Sequence, residues 1–508
     1  MYGFESPIAG IALYLCIKSG KSAMRITAHL LLALSATTFA TGVFAQENSA
    51  SLLSLEEALD IALTYNPAMQ AAEFERRAAE QERRAAVGLR MPQIGVSGAY
   101  TYLGKDIGLD FNDMKAPAGD FIQGAVQQGI IPPQSLPQLQ TLIAPIMQAD
   151  WSVKLQDRSF GFVGGEVTLP LYMGGKINAA NRAARLRETS ATEQGARTRN
   201  ALVSELVERY YGLVLASHAV EVRQQVAEGV RRHLHDARIL EKNGMLARSE
   251  RLYVEFKAAE AERELEDARV ELQTLTDALN NTLNRTADFR PVSTMFVLSQ
   301  LEPLAYFREL AEERNPALRQ ATLQHRLAEE GAKAQRAEFL PQVAAMGGAS
   351  FYNYRTTNVL PRWAVGVGVN LKIFDGLNRE HKYAAARQTV RRVDALQEKA
   401  RQDIGLLLEK IYARLLNSRN RFESIEASMT FAEEYLRAKE SAFLQGMSTS
   451  TDLVDAELNL AKVRIERMQA AFEFDRSLAQ LLEAAGISDE FANYARRSDA
   501  RPIEFDRR

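Results

Sequence analysis

Four short segments of the chain alternate apolar and polar residues with a period of two, which is the pattern of β-strands. They fall in two pairs, at 93–102 and 161–171 and, later in the chain, at 342–351 and 363–374. Ten-residue alternating segments with aromatic ends fit lipid-facing strands of a barrel, and they also fit a soluble antiparallel sheet packed on a helix. Four strands cannot close a barrel, because single-chain barrels need about eight or more. Membrane strands would therefore have to be pooled from several chains.

Each pair of strands is followed by a very long helical pattern without proline. Residues 177–243 and 379–445 hold 67 positions each, and at about 1.5 Å per residue each helix would be roughly 100 Å long. Such lengths predict a coiled coil or a helical barrel rather than an ordinary globular bundle. Shorter helices are predicted before the strands and after the long helices, at 54–91, 247–284, 303–340 and 449–485.

The chain also repeats itself. Asn-Pro-Ala begins at Asn66 and again at Asn315, which is 249 positions later, whereas Gly-Met begins at Gly244 and again at Gly446, 202 positions later. The difference, 249 − 202 = 47, is extra sequence in the first half between its two strands. We therefore predict two similar repeats, each with the order helix, strand, strand, helix, helix.

These patterns predict a mainly α chain in which the first repeat carries a long proline-containing loop between its strands. The predicted divisions are a first repeat at 46–300 with its loop at 103–159, a second repeat at 301–486 and a C-terminal tail at 487–508. Loops of this length are usually functional or disordered. We favour a passive decoration for this loop, since a proline-rich loop needs no fixed fold.

The N-terminus has the pattern of an export signal. From Met24 the chain has a positive residue at Arg25, a mostly apolar stretch and a small-residue cleavage pattern at 43–45. We predict a signal peptide at 1–45 with translation starting at Met24; an uncleaved anchor helix is the alternative. Since no later run of about 18 apolar residues follows, the mature chain is expected to be periplasmic, secreted or an outer-membrane barrel.

Composition excludes several classes of function. The net charge is −2 and the charged residues, 25% of the chain, come as mixed-sign pairs along helices, so nothing points to nucleic acid. The one cysteine, Cys16, lies in the predicted signal, so no thiol chemistry is expected. His233 and His235 are two positions apart and face different sides of a helix. We expect no enzyme, no metal site and no cofactor.

Each long helix ends at a glycine, Gly244 or Gly446, where the chain turns back. After the second turn the chain reads MSTSTDLVDA, and two compatible interpretations apply. Thr449 is an N-cap with Asp452 in the first helical turn. Alternatively, Asp452 and Asp455, spaced i and i+3 on one helix face, surround a pore mouth.

From residue 52 to 486 the chain resembles the TolC family of outer-membrane efflux channels. The resemblance rests on motifs that occur in order and in both halves: ALDIALTYNP and LAEERNP, MPQI and LPQV, LPLYMGGK and LKIFDGLN, and NGMLARSE and QGMSTSTDLVDAE. It implies a trimer in the outer membrane of a Gram-negative bacterium. Three subunits with four strands each would share a 12-stranded β-barrel in contact with outer-membrane lipid, which continues as a helical tunnel into the periplasm.

The resemblance also implies roles for particular residues. Asp452 and Asp455 match the positions of acidic residues that line the periplasmic constriction and help to gate it, and Glu250 and Tyr253 stand at the equivalent places of the first tip. Arg248 is a further candidate for links that hold the tip shut. The segment 285–302 and the C-terminal tail would form a belt around the tunnel, and the insert at 103–159 would be an extracellular loop, either passive or folded over the pore mouth.

The implied function is a passive exit duct that works with a periplasmic adaptor protein and an inner-membrane pump, of the resistance-nodulation-division or ABC type. An outer-membrane role in type I protein secretion is the alternative within the family. A soluble periplasmic coiled-coil adaptor is the alternative outside it, although that alternative does not explain four alternating segments at matched places. The exported substrate is left open by the sequence.

Overall fold

The computed structural model describes residues 51–287, 289–356 and 361–503, and the predicted signal peptide at 1–45 lies outside the described residues. The helices are α1 (Leu55–Tyr65), α2 (Pro67–Gly88), α3 (Lys115–Gln127), α4 (Leu136–Gln148), α5 (Lys176–Lys242), α6 (Arg248–Leu283), α7 (Leu304–Arg314), α8 (Pro316–Arg336), α9 (Asn378–Leu444), α10 (Ser450–Ala485) and α11 (Phe491–Ala495). The strands are β1 (Ser51–Leu53), β2 (Gln93–Tyr102), β3 (Ile107–Asp110), β4 (Ser152–Gln156), β5 (Ser159–Met173), β6 (Phe289–Pro291), β7 (Phe296–Leu298), β8 (Gln342–Tyr354), β9 (Trp363–Asn370) and β10 (Ala500–Pro502).

The fold is mainly α, with long helices that pack along one another. Helices α5 and α9 have 67 residues each, and the return helices α6 and α10 have 36 each. Helix α5 packs against α6 and α10, and α10 packs against α9, so α5 and α10 join the two helical hairpins. Within the described residues, no helix carries an apolar run long enough to cross a membrane.

The predicted helices at 54–91 and 303–340 are each broken in two, which corrects the sequence analysis. The breaks fall at Asn66 and Asn315, each followed by a proline that opens the next helix, because proline tolerates the first helical position but not the interior. Each asparagine accepts a hydrogen bond from the amide two residues later at 2.8 Å. Each also donates from Nδ2 to the end of a return helix, at Thr282 O and Ala484 O, both at 2.8 Å.

Four strands form one antiparallel sheet in the order β2-β5-β8-β9, so that β2 and β9 are its open edges. The predicted strand at 363–374 ends early, at Asn370, which pairs with Gln342. Pro341 precedes Gln342 and has no N–H to donate, so the ladder stops there. One apolar face of the sheet is open to the surroundings, since Ile94 and Val365 are 78% and 77% exposed.

The insert at 103–159, predicted as a loop, contains regular structure. Strands β3 and β4 pair as an antiparallel hairpin, and helices α3 and α4 sit at its end. Its prolines suggested a loop, but Pro117 and Pro137 lie in first helical turns, where backbone N–H groups have no helical partner in any case. Pro132 and Pro133 lie in the connection between the helices, and only Pro145 is inside a helix.

The core lies where the helices meet the short strands of the segment 289–298 and of the C-terminal tail. Strand β1 pairs with β6, and β10 of the C-terminal tail pairs with β7. The largest buried side chains gather around them: Tyr210, Tyr211, Phe307, Phe474 and Phe491. The buried Tyr210 hydroxyl uses its full hydrogen-bonding capacity. It donates to Leu53 O at 2.7 Å and accepts from the amides of Val292 and Ser293.

Candidate functional site at the helix tips

Both long helices end at the same kind of turn. Gly244 and Gly446 have φ values of +73° and +72°, in the left-handed region that glycine adopts without a steric penalty. In the first turn the Gly244 amide donates to Glu241 O and the Met245 amide to Leu240 O, both at 2.9 Å, and the second turn has the equivalent pair of bonds. This is the Schellman arrangement, which uses the last carbonyls of the helix.

At the second tip, a capping box stabilises the start of helix α10. Thr449 Oγ1 accepts from the Asp452 amide, and Asp452 Oδ2 accepts from the Thr449 amide, both at 3.2 Å. The N-cap role predicted for Thr449 is therefore confirmed. Ser448 also donates to Asp452, and Lys439 Nζ lies 3.6 Å from the same oxygen. The pKa of Asp452 is lowered, chiefly by the hydrogen bond from the Thr449 amide.

The first tip lacks this cap. Ala247 stands at its N-cap and provides no side-chain bond, so Glu250, at the position equivalent to Asp452, has no capping partner. Arg248 is exposed and, among the described residues, takes part in no ion pair. Arg251 is one of the arginines that bridge the hairpin: it lies 2.7 Å from Glu241 of α5 and also pairs with Glu255. Arg251 was not among the residues predicted for the tips, although its spacing of four from Glu255 is typical of a helix ion pair.

One hydrogen bond joins the two tips of the chain. Tyr253 on α6 donates from its hydroxyl to Asp455 Oδ1 on α10 at 2.9 Å. This bond raises the pKa of Tyr253, because the neutral phenol donates to the carboxylate. Lys257 lies over the Tyr253 ring, 5.8 Å from its centroid. The two candidate aspartates therefore have different surroundings, since Asp452 belongs to the cap whereas Asp455 is exposed and bound to Tyr253.

A second polar contact between the hairpins was not predicted. His233 Nε2 on α5 lies 3.0 Å from Glu457 Oε1 on α10. The other carboxylate oxygen of Glu457 is buried, lacks a hydrogen bond within the described chain, and faces Gly229, where a Cβ atom would come within 2.7 Å of it. An apolar cluster that includes Val230 and Val454 packs beside this pair. Glycine at 229 therefore leaves room for the carboxylate.

The helix tips carry polar contacts between packed helices. Across residues 51–287, 289–356 and 361–503, no group of three or more His, Cys, Asp or Glu side chains is placed to hold a metal ion. The polar contacts between α6 and α10, and between α5 and α10, are few and partly solvated, so they can exchange with water at modest cost. Such contacts can hold two hairpins together and release them.

Comparisons with known proteins agree with this architecture. The family model described as outer membrane efflux protein matches residues 308–487. The chain is 25% identical to the alkaline protease secretion protein AprF of Pseudomonas aeruginosa over 312 residues, which make up 57% of this chain and 62% of AprF. The alignment thus spans less than two thirds of AprF.

Two further comparisons cover more of the chain. The cobalt-zinc-cadmium resistance protein CzcC of Cupriavidus metallidurans is 25% identical over 382 residues, which make up 71% of this chain and 84% of CzcC. The crystal structure of the CmeC outer membrane channel of Campylobacter jejuni has the same fold, with a TM-score of 0.68, 13% identity, and coverage of 85% of this chain and 86% of CmeC.

Proposed function

Because the chain belongs to the outer membrane efflux protein family, we propose that it is the exit duct of a tripartite export system, passive in itself and gated at its helix tips. The protein is located in the outer membrane of a Gram-negative bacterium and extends into the periplasm. The observation that carries the proposal is the four-stranded sheet with two open edges, joined directly to helices of 67 residues.

The two open edges of the sheet need pairing strands, which further copies of the chain can provide. Strands β2 and β9 leave one row of backbone N–H and C=O groups each without a sheet partner, which lipid would not satisfy. Pairing β9 of one copy with β2 of the next satisfies both rows. Three copies then close a barrel of 12 strands, within the range of known outer-membrane barrels, and the long helices continue it as a tunnel.

The gate in this proposal is the ring of helix tips, closed by the contacts described above. Asp455, which is exposed, faces the constriction together with its partner Tyr253, and Asp452 contributes charge while it caps α10. Glu250 and Arg248 occupy the corresponding part of the first tip. Opening separates α6 from α10, which breaks the Tyr253–Asp455 bond first because it is the contact nearest the turns.

Energy for transport comes from outside the chain in this proposal. A periplasmic adaptor and an inner-membrane pump of the resistance-nodulation-division or ABC type would deliver substrate into the tunnel. The relation to CzcC, whose name is cobalt-zinc-cadmium resistance protein, favours efflux of small solutes. The relation to AprF, an alkaline protease secretion protein, favours a second candidate, the outer-membrane part of type I protein secretion. A soluble adaptor no longer has support.

Fractionation and particle mass test the proposed duct. Detergent extracts of the outer membrane are expected to contain a particle of three subunits that forms channels in planar bilayers. A soluble periplasmic monomer or dimer would contradict the proposal, because the sheet would then be an ordinary one with unprotected edges.

The two candidate substrates are separated by a gene deletion. If the duct serves solute efflux, the deletion strain becomes sensitive to metals or drugs and secretes its proteases normally. If it serves protein secretion, a protease disappears from the medium while resistance is unchanged. Complementation with the intact gene is the control in both assays.

A further inference from the structure

The insert between β2 and β5 is held in a defined arrangement at its base. Asn112 donates from Nδ2 to Asp150 Oδ1 at 2.8 Å and accepts from the Trp151 amide at 3.0 Å. The Trp151 indole N–H donates to Ile146 O at 2.9 Å, which ties helix α4 to strand β4. These bonds hold the segment before α3 and the end of α4 beside the β3–β4 hairpin.

Helices α3 and α4, which follow this base, leave their apolar side chains unburied. Helix α3 contains no buried residue, and no described side chain of α4 is buried. Phe121 is 78% exposed and Leu142 71%, and Ile146, one turn after Leu142, is exposed as well. Helices of 13 residues are marginal in water without tertiary packing. Their outward apolar side chains therefore lack the partner surface that would stabilise the pair.

The same helices also form a concave apolar surface. A cleft of about 540 Å³ lies between them. Its apolar lining includes Ile122, Val126, Leu139, Ile143 and Met147. The insert thus presents projecting apolar side chains and an apolar cleft on one element. A surface of this kind can bind a copy of itself head to tail, and such contacts close into a ring when the rotation fits.

The small number of charged residues in the two helices limits the class of molecule that they can bind. Between residues 115 and 148 only Lys115 and Asp120 are charged, and the polar side chains are mostly glutamines. Anionic lipid headgroups and nucleic acids need a basic surface, which these helices lack. The surface fits an uncharged protein face.

The position of the insert in the fold indicates that the partner of its apolar surface is a second copy of this chain. The insert continues from β2, an open edge of the sheet, and the neighbouring subunit would join at that edge. We propose that the inserts of three copies pack together, with Phe121, Leu142 and Ile146 of one against the α3–α4 cleft of the next, as a helical cap over the outer mouth of the channel. This inference rests on the proposed trimeric duct.

Cysteine cross-linking tests the cap directly. The chain has a single cysteine, Cys16 in the predicted signal. The cross-linker therefore reacts with the introduced cysteines without competition from a native cysteine in the mature chain. The pair Phe121→Cys and Ile143→Cys, treated in intact cells with a short bis-maleimide, is expected to give covalent trimers. The matched control is Gln128→Cys with Gln134→Cys, two exposed polar positions in the turn between the helices.

Particle mass, measured on the same samples, separates the two proposals. Trimers without Phe121–Ile143 cross-links would overturn the cap and leave the duct intact, whereas the absence of trimers would overturn the duct itself. A second variant, Phe121→Ser with Leu142→Ser and Ile146→Ser, is expected to remain trimeric and to lose the cap, so that its single-channel conductance rises.

Deletion of 106–157 provides an independent variant in case the serine substitutions prevent folding. It leaves β2 and β5 joined by a short turn, and their register already ends at Tyr102 and Ser159. The deletion variant is expected to assemble as a trimer with a conductance at least equal to that of the serine variant. An intact trimer whose conductance equals that of the native channel would overturn the cap.

Discussion

Tyr253 and Asp455 occupy equivalent positions in the two halves of the chain, 202 residues apart, and they hydrogen-bond to each other at 2.9 Å. The same offset relates Gly244 to Gly446, so Tyr253 and Asp455 stand at equal distances along the chain from the two turns. Two aspartates there would repel and two tyrosines would offer no carboxylate, whereas the unlike pair forms a charge-assisted bond. The difference between the two side chains therefore permits the contact that links the tips.

Tyr253→Phe is expected to weaken closure of the tips. The change removes one partly solvated hydrogen bond to a carboxylate, about 1 kcal/mol, which corresponds to roughly a five-fold shift toward the open state. Single-channel recordings are expected to show a higher open probability at unchanged assembly. The control is Tyr435→Phe, since the Tyr435 hydroxyl has no hydrogen bond within the described chain. Equal gating in both variants would remove Tyr253 from the gate.

Cap and charge at the second tip are separable. Thr449→Ala removes the N-cap and is expected to cost about 1 kcal/mol of stability without altering ion selectivity, because Asp452 keeps its charge. Asp452→Asn keeps an acceptor for the Thr449 amide and removes the charge, so cation preference falls while the melting temperature changes less. If Asp452→Asn leaves selectivity and conductance unchanged, Asp452 serves only as a capping residue.

The first tip offers the reverse experiment. Ala247→Thr places a hydroxyl at the uncapped start of α6, three residues before Glu250, which completes the sequence of a capping box. The variant is expected to gain about 1 kcal/mol of stability. Thermal unfolding of the extracted protein measures the gain, and a lower melting temperature would contradict the capping argument.

Gly229→Ala is expected to destabilise the contact between α5 and α10. A Cβ atom there would lie 2.7 Å from Glu457 Oε2, so the carboxylate must move and its 3.0 Å contact with His233 is lost. The loss, about 1–3 kcal/mol for a partly buried polar group, exceeds the roughly 0.5–1 kcal/mol that alanine adds to a helix. Thermal unfolding measures the net effect.

Two controls accompany that variant. Gly195, on the same helix, has no atom within 4 Å of its would-be Cβ, so Gly195→Ala is expected to raise stability slightly. In a Glu457→Ala background the clash is gone, so Gly229→Ala should then be neutral or stabilising. A penalty of equal size in both backgrounds would show that Glu457 is not the cause.

Asp475 makes stability depend on pH. Its side chain is fully buried in α10, where one oxygen accepts from the Phe296 amide at 3.2 Å and burial raises its pKa well above the usual 3.8. The folded state then keeps a proton that the unfolded chain has lost. The free energy of unfolding therefore falls as pH rises above about 4, by up to about 1.4 kcal/mol per pH unit until the raised pKa is reached.

Asp475→Asn removes that dependence and keeps an oxygen for the Phe296 amide. Its melting temperature is expected to exceed that of the native protein by a margin that grows from pH 5 to pH 7. The control is Asp60→Asn on the exposed face of α1, which changes the same charge in water and should give no growing margin. A constant margin for Asp475→Asn would mean that the carboxyl is already ionised in the folded state.

The parts of the fold that depend on local pattern could be predicted from the sequence. Period and length indicated a mainly α chain with two very long helices, and glycine marked their ends, because helical spacing and left-handed turns are set by neighbouring residues. The Asn-Pro breaks were equally local and were missed, although proline at a first helical position is a recognised signal. The insert was wrongly predicted as a loop, since its prolines were counted without regard to their positions.

The sequence by itself determined the helical class, the tip turns and the N-cap at Thr449. Only the tertiary structure decided which side chains meet across helices: Tyr253 with Asp455, Arg251 with Glu241, and His233 with Glu457. The physical reason is that such pairs depend on the rotation and register of two helices packed over dozens of residues. Neither the rotation nor the register of a helix pair can be predicted from the spacing of residues along one helix alone.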